Sequence, residues 1–323
     1  MQIVRGIQNL ITPLQGCVLT LGNFDGAHRG HQQLIACVVK TAKARQLPAV
    51  VVVFEPQPQA FFHPHHSPAR LSRLREKLIF FKDMRIDCVL ILRFNAALAA
   101  LSAEGFVSEI LVKRLNVQHV ILGEDGRFGA HHRGDVDFLM RQSTQYHFTA
   151  EKMPTLWIEE ESASLPVRIS STLLRQTLVA GNLSFAKKLL GHFYALSGRI
   201  SYGAQRGRTL GFPTINMDLH RTQSPLLGIF AVRVSGLGDR FIEGVANMGY
   251  RPTIKKDADD SLKPILEVYL FDFNEIVYGR FVCVEFIHKI RDEFKFSSIE
   301  ALKIQIGKDV EEAKRIFTTV PST

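Results

Sequence analysis

The sequence is poor in the features that mark several protein classes. It holds four cysteines and one tryptophan in 323 residues. Cys17, Cys37, Cys88 and Cys283 include no pair at C-x-x-C spacing, which excludes zinc-ribbon and thioredoxin-like sites. Apolar runs are short, as in Ala49–Phe54, and none approaches the roughly 20 residues that a membrane helix needs. The first residues lack the basic start, apolar middle and small-residue exit of a signal peptide. With most thiols set inside apolar runs, these absences predict a cytoplasmic protein with buried free cysteines. Neither a nucleic-acid motif nor a basic stripe is present, so neither nucleic acid nor membrane is an expected partner. There is no internal repeat, and no feature specifies an oligomeric state.

What is present suits a globular protein of two domains. The length fits two units of roughly 100–200 residues. Hydrophobic residues make up 46% and charged residues 22%, enough apolar surface to build cores. Forty basic against 31 acidic side chains leave a net charge of +9, spread evenly along the chain. That sign favours anionic ligands such as phosphates.

The first half alternates short apolar runs with amphipathic stretches. Val18–Leu21, Ala49–Phe54, Cys88–Leu92 and His119–Leu122 read as buried strands. Helical patterns begin near Arg29 and cover Leu71–Lys82 and Ala103–Arg114. This rhythm belongs to a parallel sheet covered on both faces, which binds ligands at the carboxyl ends of its strands. After about residue 190 the character changes. Arg199–Tyr202, Ile229–Val234, Phe241–Asn247, Ile265–Asp272 and Phe281–Ile287 read as short strands of a small barrel or sandwich. A helix from about Ser298 to Phe317 closes the chain, capped by Ser297 or Ser298, with Ile299, Leu302, Ile306, Val310 and Ile316 as its apolar stripe. Lys255–Lys263 reads as a mobile loop.

The densest motif is Gly22-Asn23-Phe24-Asp25-Gly26-Ala27-His28-Arg29-Gly30-His31. It joins a buried strand to a helix N-terminus, where free N–H groups and the helix dipole attract anions. Glycines let a phosphate approach the backbone. His28 and His31, three residues apart, can serve one spot at the first helical turn and donate to a reacting phosphoryl group. Gly123–Gly129 is a second glycine-rich turn at a strand end. Arg168–Arg175 opens a helix, with Ser170 or Ser171 as N-cap and Arg175 one turn on. His63, Pro64, His65 and His66 lie in a proline-rich stretch without partners at ligand spacing and read as a solvated loop.

In the second half, Gly211-Phe212-Pro213-Thr214-Ile215-Asn216 places two hard oxygens on one side of an extended segment, a donor set that suits Mg²⁺. Arg206-Gly207-Arg208 stands just upstream. Glu267 sits in an otherwise apolar strand. A general base beside a substrate hydroxyl and a surface carboxylate on an amphipathic strand fit it equally.

His28-Arg29-Gly30-His31 resembles the HxGH motif of the nucleotidyltransferase superfamily. With Gly123–Gly129 and Arg168–Arg175, the stretch Gly22–His31 resembles the adenylyltransferase module of the bacterial bifunctional riboflavin kinase/FMN adenylyltransferase family, also called FAD synthetase. Gly191–Asn216, Gly244–Thr253, Leu266–Phe273 and Arg291–Phe296 are similar to its riboflavin kinase module. Three residues depart from the family pattern. Gly126 stands where an aromatic is usual, Ile215 where a small residue is common, and Phe193 where proline is more usual.

The resemblance implies an α/β fold: a Rossmann-like nucleotidyltransferase domain with a parallel sheet over 1–185, and a small antiparallel β-barrel with a terminal helix over 186–323. It implies phosphorylation of riboflavin to FMN, then adenylylation of FMN to FAD, with ATP as co-substrate and Mg²⁺ as cofactor. His28, His31 and Glu267 would be catalytic. Gly22, Asn23, Phe24, Asp25, Gly30, Asp125, Arg168, Ser171, Thr172 and Arg175 would join the two histidines around ATP in the first module. Gly207, Arg208, Gly211, Pro213, Thr214 and Asn216 would hold ATP in the second, with Thr214 and Asn216 on the metal. Asn247, Gly249, Glu267 and Arg291 would contact flavin. A single-function nucleotidyltransferase with a non-catalytic barrel, or a flavin-sensing regulator, are the competing classes.

Overall fold

A computed structural model describes residues 1–10, 14–64, 66–160, 164–203, 207, 210–251 and 263–319. The chain divides into two compact units, Met1–Pro68 with Ser72–Ser171, and Ala69–Leu71 with Thr172–Thr323. Arg206, Arg208 and His65 lie outside the described residues, as does the expected loop at 255–263 except Lys263, which opens a strand.

In the first unit the elements run β1 (Gln2–Arg5), β2 (Cys17–Leu21), α1 (Arg29–Arg45), β3 (Ala49–Glu55), α2 (Pro58–Phe62), α3 (Leu74–Asp83), β4 (Cys88–Arg93), α4 (Ala96–Ala100), α5 (Ala103–Gly105), β5 (Val117–Gly123), α6 (Val136–Tyr146), β6 (Thr149–Met153) and a small hairpin, β7 (Trp157–Ile158) with β8 (Val167–Arg168). The six-stranded sheet has the order β1-β4-β3-β2-β5-β6, and every neighbouring pair is parallel. Alternate residues of each central strand feed opposite cores. Leu19, Val50 and Val52 face one, with Phe106, Val107 and Leu139. Val18, Val51 and Val53 face the other, with Ile35, Val38 and Phe81.

Two expected helices differ from the sequence reading. The first begins at Leu74 rather than Leu71, because the Ser72 N–H is taken by the Asp25 carboxylate and Arg73 N–H by the Glu76 carboxylate. The second is helical only over α5 before seven residues, Phe106–Val112, wind as a π-helix. Bonds from Lys113 N to Ser108 O and from Leu115 N to Ile110 O close the wider turns.

In the second unit α7 (Ser171–Val179) and α8 (Leu183–Leu190) precede β9 (Ala195–Ser201), β10 (Thr214–Asp218), β11 (Gly228–Ser235), β12 (Ile242–Arg251), β13 (Lys263–Leu270), β14 (Phe281–Arg291) and α9 (Ile299–Thr319). The strands close an antiparallel barrel in the order β10-β13-β12-β11-β14-β9. Along β13, Leu266, Val268 and Leu270 are buried while Glu267 and Tyr269 between them are half-exposed. Ile229, Ala231 and Val245 pack with Ala313, Ile316 and Phe317 of α9. Ser298 Oγ caps α9 at Ala301 N. The expected stripe is corrected at its start: Ile299 is 66% exposed, and the buried face is Asp309, Ala313, Ile316 and Phe317. Only the second half of the helix lies on the barrel strands.

Candidate active sites

The first site forms where β2 gives way to α1. The intervening turn is strained: Phe24 (φ 49°) and Ala27 (φ 48°) are left-handed without being glycine. Burial of the Phe24 ring against Phe81 and His31 compensates. Asp25 is buried and anchors the turn, accepting Ser72 N at 2.9 Å, while Gly26 N donates to Ser72 Oγ at 2.9 Å. Ser171 Oγ donates to Asp25 O at 2.7 Å, so this hydroxyl fastens the loop. The helix begins at Ser171 itself, which leaves the capping place to Ser170.

His28 is the N-cap of α1, its Nδ1 accepting from His31 N at 3.4 Å. That bond puts the proton of a neutral ring on Nε2. The two imidazoles stack, with centroids 3.6 Å apart and planes 17° from parallel. Gly30 makes room for this pair, because a side-chain carbon there would press on the His28 ring at 3.3 Å. Burial lowers His28 to about 4, opposed by Asp125 and Asp25 and assisted by Arg168. Burial, then His28 and Lys77, hold His31 well below its ordinary value. Both rings are therefore neutral donors at pH 7.

Asp125 and Arg168 form an ion pair. Their charges both act on His28, which brings the expected Gly22–His31, Asp125 and Arg168 together. Gly22 and Asn23 lie in the same turn, and Asn23 Oδ1 is buried without a hydrogen-bond partner. Thr172 and Arg175 lie further along α7, in the other unit, where Arg175 Nε donates to Ala69 O at 2.7 Å. Lys77 escaped the sequence reading. It is 1% exposed, on the same face of α3 as Phe81, and a lysine at an apolar position of a periodic helix was its signal. Phe61 and Phe62 also escaped it. They are exposed, and each packs on Phe94 (5.4 and 5.7 Å) just beyond the carboxyl ends of β3 and β4.

The second site is a row across the barrel. Asn216 of β10 is opposite Glu267 of β13, Glu267 is opposite Asn247 of β12, Asn247 is opposite Ile229 of β11, and Ile229 is opposite Arg291 of β14. Opposed residues share a face, so the four polar side chains line one side of five adjacent strands, spanning roughly 19 Å. Glu267, second in the row, therefore faces outward, not into the core. Asn216 Oδ1 and Asn247 Oδ1 are buried and have no hydrogen-bond partner. Gly203 is confined to glycine, since a side-chain carbon there would overlap the Asn216 amide. Gly207 O accepts from Leu210 N (3.1 Å) and Phe212 N (2.8 Å), forming the turn that leads through Gly211 (φ 88°) and Pro213 to Thr214. Gly249 abuts the Glu293 carboxylate.

Arg291 is fixed by Asp309 of α9, Nε to Oδ1 at 2.9 Å and Nη2 to Oδ2 at 2.7 Å, and by Phe294 at 4.5 Å. Gln305 also donates to Asp309. Asp309 was missed because its spacing on α9 reads as core. Among the described residues, no group of three or more His, Cys, Asp or Glu is placed to hold a metal ion. The orphaned Asn216 oxygen and the Thr214 hydroxyl on the same face do suit a hard cation completed by phosphates and water.

The chain matches the family model described as FAD synthetase over residues 11–172, and that described as riboflavin kinase over 190–317. It is 44% identical to the bifunctional riboflavin kinase/FMN adenylyltransferase of Escherichia coli strain K12, over 98% of each chain. Against the protein of that name from Haemophilus influenzae it is 41% identical, over 99% of this chain and all of the other. A crystal structure from Streptococcus pneumoniae, described as a macrolide-efflux protein, superposes with TM-score 0.79 at 30% identity, covering 98% of this chain and 99% of that one. Among the described residues, no helix is long and apolar enough to cross a membrane.

Proposed function

The chain belongs to the bifunctional riboflavin kinase/FMN adenylyltransferase family, and from that premise we propose how its residues divide two reactions. It is an enzyme that phosphorylates riboflavin to FMN and adenylylates FMN to FAD, with ATP as co-substrate of both. We assign adenylyl transfer to residues 1–185 and phosphorylation to residues 186–323. The observation that carries this division is the separation of two constellations, the stacked His28–His31 pair in one unit and the Asn216–Glu267–Asn247 row in the other.

In adenylyl transfer, an FMN phosphate oxygen attacks the α-phosphorus of ATP and the bond to pyrophosphate breaks. The nucleophile is already anionic, so no base is needed. His28 and His31 donate to charge developing on the α-phosphoryl oxygens. Arg168 and Ser171 grip the triphosphate, and Asp125 orients Arg168. The exposed Phe61 and Phe62 rings offer the flavin an apolar shelf.

In phosphorylation, Glu267 accepts the proton of the riboflavin 5′-hydroxyl, whose oxygen attacks the γ-phosphorus as ADP leaves. Gly207, Gly211 and Pro213 shape the turn around ATP. Asn247, Gly249 and Arg291 border the flavin. Thr214 and Asn216 would hold Mg²⁺, which neutralises phosphate charge when bound. We place the protein in the cytoplasm, where its free thiols, including buried Cys17 and Cys88, stay reduced. A single-function nucleotidyltransferase would leave the barrel row idle. Incubation with riboflavin, Mg²⁺ and ATP, followed by separation of the flavins, is expected to yield both FMN and FAD. FAD from supplied FMN alone, with no FMN from riboflavin, would refute the kinase assignment.

A further inference from the structure

We propose that Trp157 is an aromatic platform for the adenine ring of ATP during adenylyl transfer. The proposal rests on the reading of the first unit as the adenylyl-transfer site. Trp157 is the single tryptophan of the chain, and it is 58% exposed. It stands on β7 directly opposite Arg168 on β8. Opposed residues of an antiparallel pair share a face, with Cβ atoms about 5 Å apart. The indole therefore flanks the guanidinium that pairs with Asp125. The hairpin is fastened at the end that leads into the ring. Thr155 Oγ donates to Glu124 Oε2 at 2.9 Å, and Ile169 N donates to Leu156 O at 2.9 Å.

Strand order decides which of the reaction's two ring systems the indole meets. The reacting phosphates belong at Gly22–His31, beyond the end of β2. On one side of β2 lie β3 and β4, with the phenylalanines that follow them. On its other side lies β5, whose following turn carries Asp125 and, through it, Arg168 and Trp157. A flavin on the phenylalanines leaves the β5 side to the adenine. An indole face holds a purine by stacking alone and needs no hydrogen bond to the base edge.

Because Trp157 has no other tryptophan beside it in the chain, its emission reads occupancy of this place directly. Titration of the full chain with ATP, without flavin, is expected to quench that emission saturably. Trp157→Ala is expected to raise the KM for ATP in FAD formation about tenfold, to leave the KM for FMN nearly unmoved, and to be largely rescued by Trp157→Phe. The KM for ATP in riboflavin phosphorylation gives the reference for general damage to folding. Emission indifferent to saturating ATP overturns the platform, as does an alanine variant whose ATP KM is unchanged or whose FMN KM rises instead. Wild-type protein that forms no FAD would overturn the underlying reading of the site, and the ATP titration would still decide the platform.

Discussion

The stacked imidazoles carry two predictions of opposite kind, one of rate and one of stability. On the proposed assignment they serve adenylyl transfer alone, as neutral donors. His28→Ala with His31→Ala is expected to lower FAD formation from FMN by a factor of about 10² or more, with FMN formation from riboflavin retained. Their protonation also sets a pH window. Burial brings His28 down to about 4 in the folded chain and holds His31 well below its ordinary value, against 6.5 for an imidazole in the unfolded chain. Between those values the unfolded chain binds more protons than the native one. Stability therefore rises with pH up to about 6.5, and is lost progressively from there down to about 4. Urea midpoints measured from pH 4.5 to 7 are expected to show this slope, and the double variant should flatten it. In the barrel, Glu267→Gln keeps the size of the side chain and removes its basicity. It is expected to slow riboflavin phosphorylation about 10²- to 10⁴-fold without affecting FAD formation from supplied FMN.

At the scale of elements, α9 is held to the barrel by apolar packing in its second half and by Asp309 on Arg291. Asp309 is 3% exposed, so Asp309→Ala leaves a guanidinium without its counter-charge in a largely desolvated place. The expected cost is about 3 kcal/mol, read as a lower urea midpoint, with a higher KM for riboflavin because Arg291 and Phe294 lose their anchor. This pair also marks the limit of what the chain reveals unfolded. The central strands were legible because continuous apolar runs such as Ala49–Phe54 are buried on both faces. Edge strands β1 and β6 were not, since Gln2–Arg5 buries only Val4 and Thr149–Met153 buries nothing. In the first site, Gly22–His31 was legible because its residues are contiguous. The contacts of Ser72 with Asp25, of Lys77 with the His31 field, and of Trp157 with Arg168 were not, because they join residues distant in the chain. Ile299 misled because periodicity records which residues could share a face, not where the helix meets its support.

Over the whole molecule, each constellation stands in a unit with its own hydrophobic core, and neither set of reacting groups is drawn from the other reaction's list. Phosphorylation ends on a monophosphate ester, and adenylyl transfer begins on the same ester. Nothing covalent joins the product of one step to the enzyme before the next. The two steps are therefore separable between molecules. Protein carrying His28→Ala and His31→Ala is expected to make FMN and stop there. Protein carrying Glu267→Gln is expected to make FAD only from FMN supplied to it. Neither alone should convert riboflavin to FAD. An equimolar mixture of the two is expected to do so after a lag, with FMN rising first and FAD following as the free ester reaches the second protein. The lag should shorten as the concentration of the FMN-forming variant is raised, because the intermediate accumulates in solution. A mixture that builds FMN yet never forms FAD, although the Glu267→Gln protein uses added FMN, would show that the ester does not leave the molecule that makes it.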